Sequence, residues 1–200
     1  HSGLMDLPAD APTGANFADY LGGDDAIIEI EITPNRGDCL GVLGVARDIS
    51  ALYDLDLVEP AIREIPASID DRIEVTLQAP EACPVFLGRV IRNVNAEAQT
   101  PLWMRERLRR SGIRPVSPLV DVTQYVMLEL GQPMHAYDLR EINGGIEVRW
   151  AKPGEKLLLL DGSEAALEPD MLVIADRQRA LGVAGIMGGE GSGVREDTRD

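Results

Sequence analysis

Between Ile73 and Val194 the spacing of apolar residues switches from strand to helix and back, with no regular strand–helix–strand repeat. A parallel doubly wound sheet needs that repeat, so its absence argues for an α+β fold with mixed sheets and packed helices. IEVTLQA (73–79) alternates as a strand, and VFLGRVIRNV (85–94) reads as another. Thr100 and Pro101 supply an N-cap and first-turn pair for a helix that runs to about Ser111 and stops at Gly112. LVDVTQYVMLEL (119–130) predicts a second helix, entered through Asp121 or Thr123 and ended by Gly131 and Pro133. Short strands follow in GGIEVRWA, KLLLL and MLVIAD, with a DGSE turn at 161–164. ALGVAGIMGGEGSGV (180–194) opens as a strand and dissolves into glycine.

The N-terminal third has a different texture. Residues 1–25 read as loop and turn, AIIEIEI (26–32) alternates as a strand, and Asp38 is placed to cap a helix from about Cys39 to Tyr53. Residues 54–67 carry acids and two prolines and read as a linker, which puts a domain boundary near residue 65. Up to Pro60 there are twelve acids and two arginines, so this third supplies about −10 of the chain's −15. A strongly acidic chain is a poor general nucleic-acid binder. One stretch departs from that rule: WMRERLRRSGIR (103–114) holds five arginines and one glutamate. On the helix Arg105 and Arg109 line up four residues apart, placed either to contact RNA phosphates or to pair with the chain's own acids.

Of the 200 residues 44% are apolar but only 4% aromatic, so Leu, Val, Ile and Ala must build the core. No apolar run reaches the ~20 residues of a membrane helix, and no signal peptide is visible. Cys39 and Cys83 lie outside any CxxC or CxxH pattern, which argues against a disulfide framework or a zinc site and fits packed thiols in a reducing cytosol. The chain opens on His1, not methionine, and its last residues, GSGVREDTRD, read as ending without a closing element; both suggest a fragment.

Chemistry has few candidates. There is no GxSxG, GxGxxG or GK[ST] signature. His135, in LGQPMHAYD, is the only internal histidine and the one group that titrates near neutral pH, although a lone histidine in such a setting more often packs. Asp138, three residues on, is placed either to orient it or to cap the next segment. Asp121, Glu129 and Glu190 are further carboxylates. The glycines from Gly182 to Gly193, Gly188 and Gly189 among them, offer a backbone that a ligand can approach closely, a holder for an oxyanion, or a mobile turn.

Four stretches, EIEITPNRGDCLGVLGVARDISALY, TPLWMRERLRRSGIRPVSPLVDVTQYVMLELGQPMHAYDL, GGIEVRWA and GVAGIMGGEGSGV, resemble the beta subunits of bacterial phenylalanine–tRNA ligases, in the family's order and over most of the chain. The resemblance implies that residues 1–65 are part of an N-terminal structural domain flanking an oligonucleotide-binding barrel. It implies that residues 66–200 are an editing domain that hydrolyses tRNA(Phe) mischarged with tyrosine. Expected partners are tRNA(Phe) and an alpha subunit, in a cytoplasmic tetramer of two alpha and two beta chains. ATP and magnesium then belong to the alpha subunit, with no cofactor or metal in this piece. The family's editing pocket falls on His135, to position water or the terminal adenosine, on Thr123 and Gln124, to bind the amino acid or its ester, and on Gly188 and Gly189, as a close wall. Gln124 stands where asparagine is expected. The family's phenol-binding acid falls beyond Asp200, and Glu190 is not that residue, so a pocket without its discriminating carboxylate and an incompletely folded, inactive fragment are expected. The other reading is a non-catalytic scaffold that docks tRNA and neighbouring subunits.

Overall fold

A computed structural model describes residues 7–200; residues 1–6, expected to be loop, lie outside them. The fold is α+β. Helices α1 (Phe17–Tyr20), α2 (Val42–Tyr53), α3 (Leu102–Arg110) and α4 (Pro118–Leu130) accompany seven strands: β1 (Val75–Leu77), β2 (Ile146–Trp150), β3 (Lys156–Leu158), β4 (Glu164–Ala166), β5 (Leu172–Ala175), β6 (Ala180–Val183) and β7 (Met187–Gly188). Five strands form one sheet in the order β1-β2-β5-β6-β7; β1 runs parallel to β2 and the other neighbours are antiparallel. Strands β3 and β4 make a separate hairpin, closed where Asp161 Oδ1 accepts from the Ser163 amide and hydroxyl.

The sheet is covered on both faces, and the period of two shows how. In β5, Val173 and Ala175 pack with Ala151, Leu157, Leu167 and Ala180. Ile174 points the other way and packs with Ile146, Val148 and Leu181, joined by Tyr137 and Phe86. Burying an aliphatic side chain of this size contributes roughly 1.5–3 kcal/mol, so these two clusters fix the register of β2, β5 and β6. At the margin of the first cluster Arg149 forks onto Glu155 through two hydrogen bonds of 2.9 and 2.7 Å. Glu155 also accepts from the Lys152 and Ala180 amides, and these partners hold its carboxyl at about 2.

Helix α4 begins at Pro118 after Ser117, earlier than Asp121 or Thr123, and is closed by Gly131 at φ 73. Asp121 is buried inside it and accepts from the Thr100 hydroxyl (2.5 Å) and the Val116 amide (2.7 Å). Thr100 is thereby committed to α4, and α3 starts from Pro101 without a side-chain cap. Asp38 caps nothing either: it pairs with Arg36 beside a 3-10 turn at Gly37–Leu40, and α2 starts after Gly41.

Two expected strands are absent. Residues 26–32 and 85–94 hold no strand, and Ile28 and Leu87 stand 78% and 88% exposed. Alternation prepares a strand, but a ladder partner makes one, and among the described residues neither segment joins a ladder, Val94 alone donating to Arg199 O. The glycine-rich tail goes the other way. It forms β7, a 3-10 turn at Glu190–Ser192 and isolated bridges to Tyr137 and Leu159. The N-terminal loop likewise contains one helical turn, α1, capped by Asn16.

Candidate functional site

His135 lies in the extended segment between α4 and a 3-10 turn at Leu139–Glu141. Gly131, in the left-handed conformation, and Pro133 end the helix and send the chain out extended. Two residues after His135, Tyr137 bridges Gly193, and the Asp138 amide donates to Ser192 O (3.0 Å). The histidine therefore travels on an extended segment clipped to the glycine segment.

Its imidazole rests on bare backbone. A Cβ built on Gly188 would stand 2.3 Å from His135 Cε1 and 2.6 Å from Nε2, so only glycine leaves the ring its place. Tyr137 meets the ring edge-on, with centroids 4.5 Å apart at 77°. Part of His135 stays open to solvent, yet burial of the ring lowers its pKa and favours the neutral imidazole. Burial also pushes the Tyr137 phenol up to about 12.

Gly189 plays a different part. Its N–H donates to Leu181 O at 2.7 Å, so this amide is spent on the sheet and is not free to hold an oxyanion. A Cβ at Gly189 would sit 2.7 Å from that carbonyl and 2.8 Å from Leu157 Cδ1. The glycine segment is thus a wall built into the sheet, not a mobile turn. Glu190 follows as an exposed residue opening the 3-10 turn.

Asp138 does not touch His135. It is 1% exposed and caps the 3-10 turn through the Arg140 amide. It also accepts from the Arg140 guanidinium (2.8 and 3.1 Å) and the Thr198 hydroxyl (2.7 Å). These donors outweigh burial, Arg140 foremost, and hold its carboxyl well below the usual carboxylate range. Asp138 anchors the segment that carries the histidine. Thr198, Arg140 and Tyr137 escaped the sequence reading. For Tyr137 a signal existed: residues two apart in an extended segment share a face. For Thr198, 60 residues from its partner, there was none.

Thr123 and Gln124 sit on α4, which packs on α2 and α3. The Thr123 hydroxyl donates to its own helix at Val120 O. Gln124 Oε1 is buried with no hydrogen-bond partner, the kind of orphan acceptor that a donor group would satisfy. Among the described residues no hydrogen bond joins either to His135, whose ring lies against Gly188. Arg109 is bound to Glu106 at 2.8 Å, while Arg105 has no hydrogen-bond or ion-pair partner among the described residues. Two hollows lie elsewhere, one between 153–156 and 166–169, the other between 30–33 and α2. Among the described residues no helix is long and apolar enough to cross a membrane.

The B3/4 domain family model matches residues 82–200, and the chain belongs to that family. Over its full length it is 58% identical to a phenylalanine–tRNA ligase beta subunit of Dickeya dadantii and 60% identical to one of Pseudomonas syringae pv. tomato. It spans 25% of the length of each. A solved N-terminal fragment of the phenylalanyl-tRNA synthetase beta subunit from Pyrococcus horikoshii covers 82% of the chain at 17% identity and a TM-score of 0.41, with 50% of that fragment aligned. That superposition is too loose to place any residue.

Proposed function

We propose that residues 66–200 are the editing domain of a phenylalanine–tRNA ligase beta subunit and hydrolyse Tyr-tRNA(Phe). The observation that carries this reading is the His135 imidazole lying directly on the Gly188 backbone. An apolar synthetic pocket rejects an added hydroxyl only by roughly a hundredfold, so tyrosine errors call for a second site. The reaction is ester hydrolysis. Water's oxygen bonds to the aminoacyl carbonyl carbon, the carbon–ribose oxygen bond breaks, and the ribose oxygen leaves with a proton. His135 in its neutral form accepts a hydrogen bond from that water or from the terminal adenosine and orients it. The missing side chain at Gly188 lets the imidazole itself rest on the sheet edge, where it would meet the ester. Thr123 and Gln124 contribute to amino-acid or ester binding, Gln124 through its unpartnered oxygen.

On this reading residues 1–65 belong to a neighbouring structural domain. The partners are tRNA(Phe) and an alpha subunit, in a cytoplasmic tetramer of two alpha and two beta chains. ATP and magnesium serve the alpha subunit's synthetic step. The test is deacylation of Tyr-tRNA(Phe) against Phe-tRNA(Phe), by this chain and by one extended past Asp200, each with and without His135→Ala. Faster loss of tyrosine in the extended chain, abolished by His135→Ala with folding intact, is expected. Equal rates for the two esters in both lengths would refute the reading.

A scaffold role is favoured by one observation, the apolar surface of the first part. Ile27, Leu52 and Val58 are 70%, 77% and 89% exposed, a pattern of surface that docks other protein. On that reading His135→Ala leaves every deacylation rate unchanged.

A further inference from the structure

Helix α3 carries an arrangement that ester hydrolysis does not use. Met104 and Leu108 are buried, while Trp103 and Arg107, four residues apart, share an outward face. Trp103 is 52% exposed. Tyr125 of α4 meets it edge-on, with centroids 5.2 Å apart at 89°. The Arg107 guanidinium lies 5.4 Å from the indole centroid and donates to Tyr125 Oη at 2.6 Å. That hydroxyl in turn donates to Glu129 at 2.9 Å. Two neighbours thus hold the indole in place while half of its surface faces water.

The surrounding charge narrows the choice of occupant. From Trp103 to Arg114 there are five arginines and one glutamate in a chain of −15, and that glutamate, Glu106, is buried against Arg109 and Arg110. An apolar protein surface laid here would strip water from Arg107 without returning a charge. A nucleotide offers both a flat base for the indole and a phosphate for the guanidinium.

We propose that Trp103 and Arg107 form a stacking platform for one unpaired base of single-stranded RNA, with Arg107 also taking the adjoining phosphate. The choice of RNA over other polyanions rests on reading the chain as part of a subunit that acts on tRNA.

The test uses the 200-residue chain with Trp150→Phe, which leaves Trp103 as its one tryptophan, and an unpaired RNA hexamer. Trp103 emission is expected to fall as the hexamer binds, and heparin of equal charge is expected to leave it unchanged. Affinity, read from the anisotropy of labelled hexamer, is expected to weaken about tenfold in Trp103→Leu and in Arg107→Gln, each with an unaltered circular dichroism spectrum. Unquenched emission at saturating RNA, or undiminished affinity in both variants, overturns the proposal. So does an indole that acrylamide reaches in this chain but not in a longer beta-subunit chain free of RNA, since protein then covers the site. His135→Ala separates the two readings: it is expected to bind the hexamer normally. Hexamer binding that depends on Trp103, without ester hydrolysis by any form, keeps the platform and discards the editing site.

Discussion

Gly188→Ala and Gly189→Ala are adjacent and chemically identical changes, yet they should fail in different ways. At Gly188 the new methyl meets His135 Cε1 at 2.3 Å. Ordinary contact is about 3.5–4 Å, so the ring must retreat by more than about 1 Å. It can do so, because it is the end of a partly exposed side chain. Stability is therefore expected to change by less than about 1 kcal/mol, since lost chain entropy in the unfolded state offsets part of the cost. The imidazole, however, leaves its place, and a displacement of that size costs on the order of a hundredfold in rate. At Gly189 the methyl meets Leu181 O at 2.7 Å and Leu157 Cδ1 at 2.8 Å. A sheet carbonyl cannot step aside, so overpacking of about 1–3 kcal/mol is expected. For a chain of this length that is a fall in Tm of roughly 2–12 °C. Thermal unfolding followed by circular dichroism reads the second effect, and the ring resonances of His135 in NMR read the first. If Gly188→Ala lowers Tm as much as Gly189→Ala, or leaves the His135 resonances where they were, the reasoning is wrong.

Other outcomes follow from the same geometry. Thr198→Val removes one donor from the buried Asp138 carboxylate and is expected to cost about 1.5–3 kcal/mol in denaturant unfolding; a loss below 0.5 kcal/mol would contradict the anchoring role. Asp121→Ala strands the Thr100 hydroxyl and the Val116 amide together, with a similar loss of about 2 kcal/mol expected in the same assay. Glu155 is held at about 2 in the fold against 4.5 unfolded, so its contribution is complete above pH 4.5 and fades as pH falls toward 2; unfolding free energies measured across that window should fall more steeply than in Glu155→Gln. His135 has a folded pKa below 6.5, so the unfolded chain binds the extra proton first and stability rises with pH through that range. Deacylation that needs the neutral ring should be flat above pH 7 and fall at lower pH, and a rate that rises on acidification would remove His135 from that role.

Those elements that depend on local chemistry were legible in the sequence. Gly131 ends α4 as expected, the alternation of Ile146–Trp150 gives one central strand, and the apolar run Leu172–Ala175 gives another. The misreadings share a cause. Thr100 was expected to cap its own helix, but a buried carboxylate 21 residues away offers it a better partner. AIIEIEI alternates as well as any strand here, but pairing requires a neighbour that periodicity cannot supply. At the site, His135 and the glycines could be singled out one by one. Their juxtaposition was implied only by the family resemblance and not by spacing, because it depends on a sheet edge that folds residues 187–193 onto residues 135–138.

The clip on the histidine segment also sets an order of events. Asp138 waits for Thr198, the Leu139 amide for Asp200 O, and the Val94 amide for Arg199 O. A ribosome adding about 5–20 residues per second needs several seconds to travel from His135 to those partners, and further time to bring them out of its tunnel. Helices α3 and α4 can form during that interval, but the imidazole has no fixed seat until residues 188–200 arrive. A nascent chain therefore acquires helices α3 and α4 before it acquires this site.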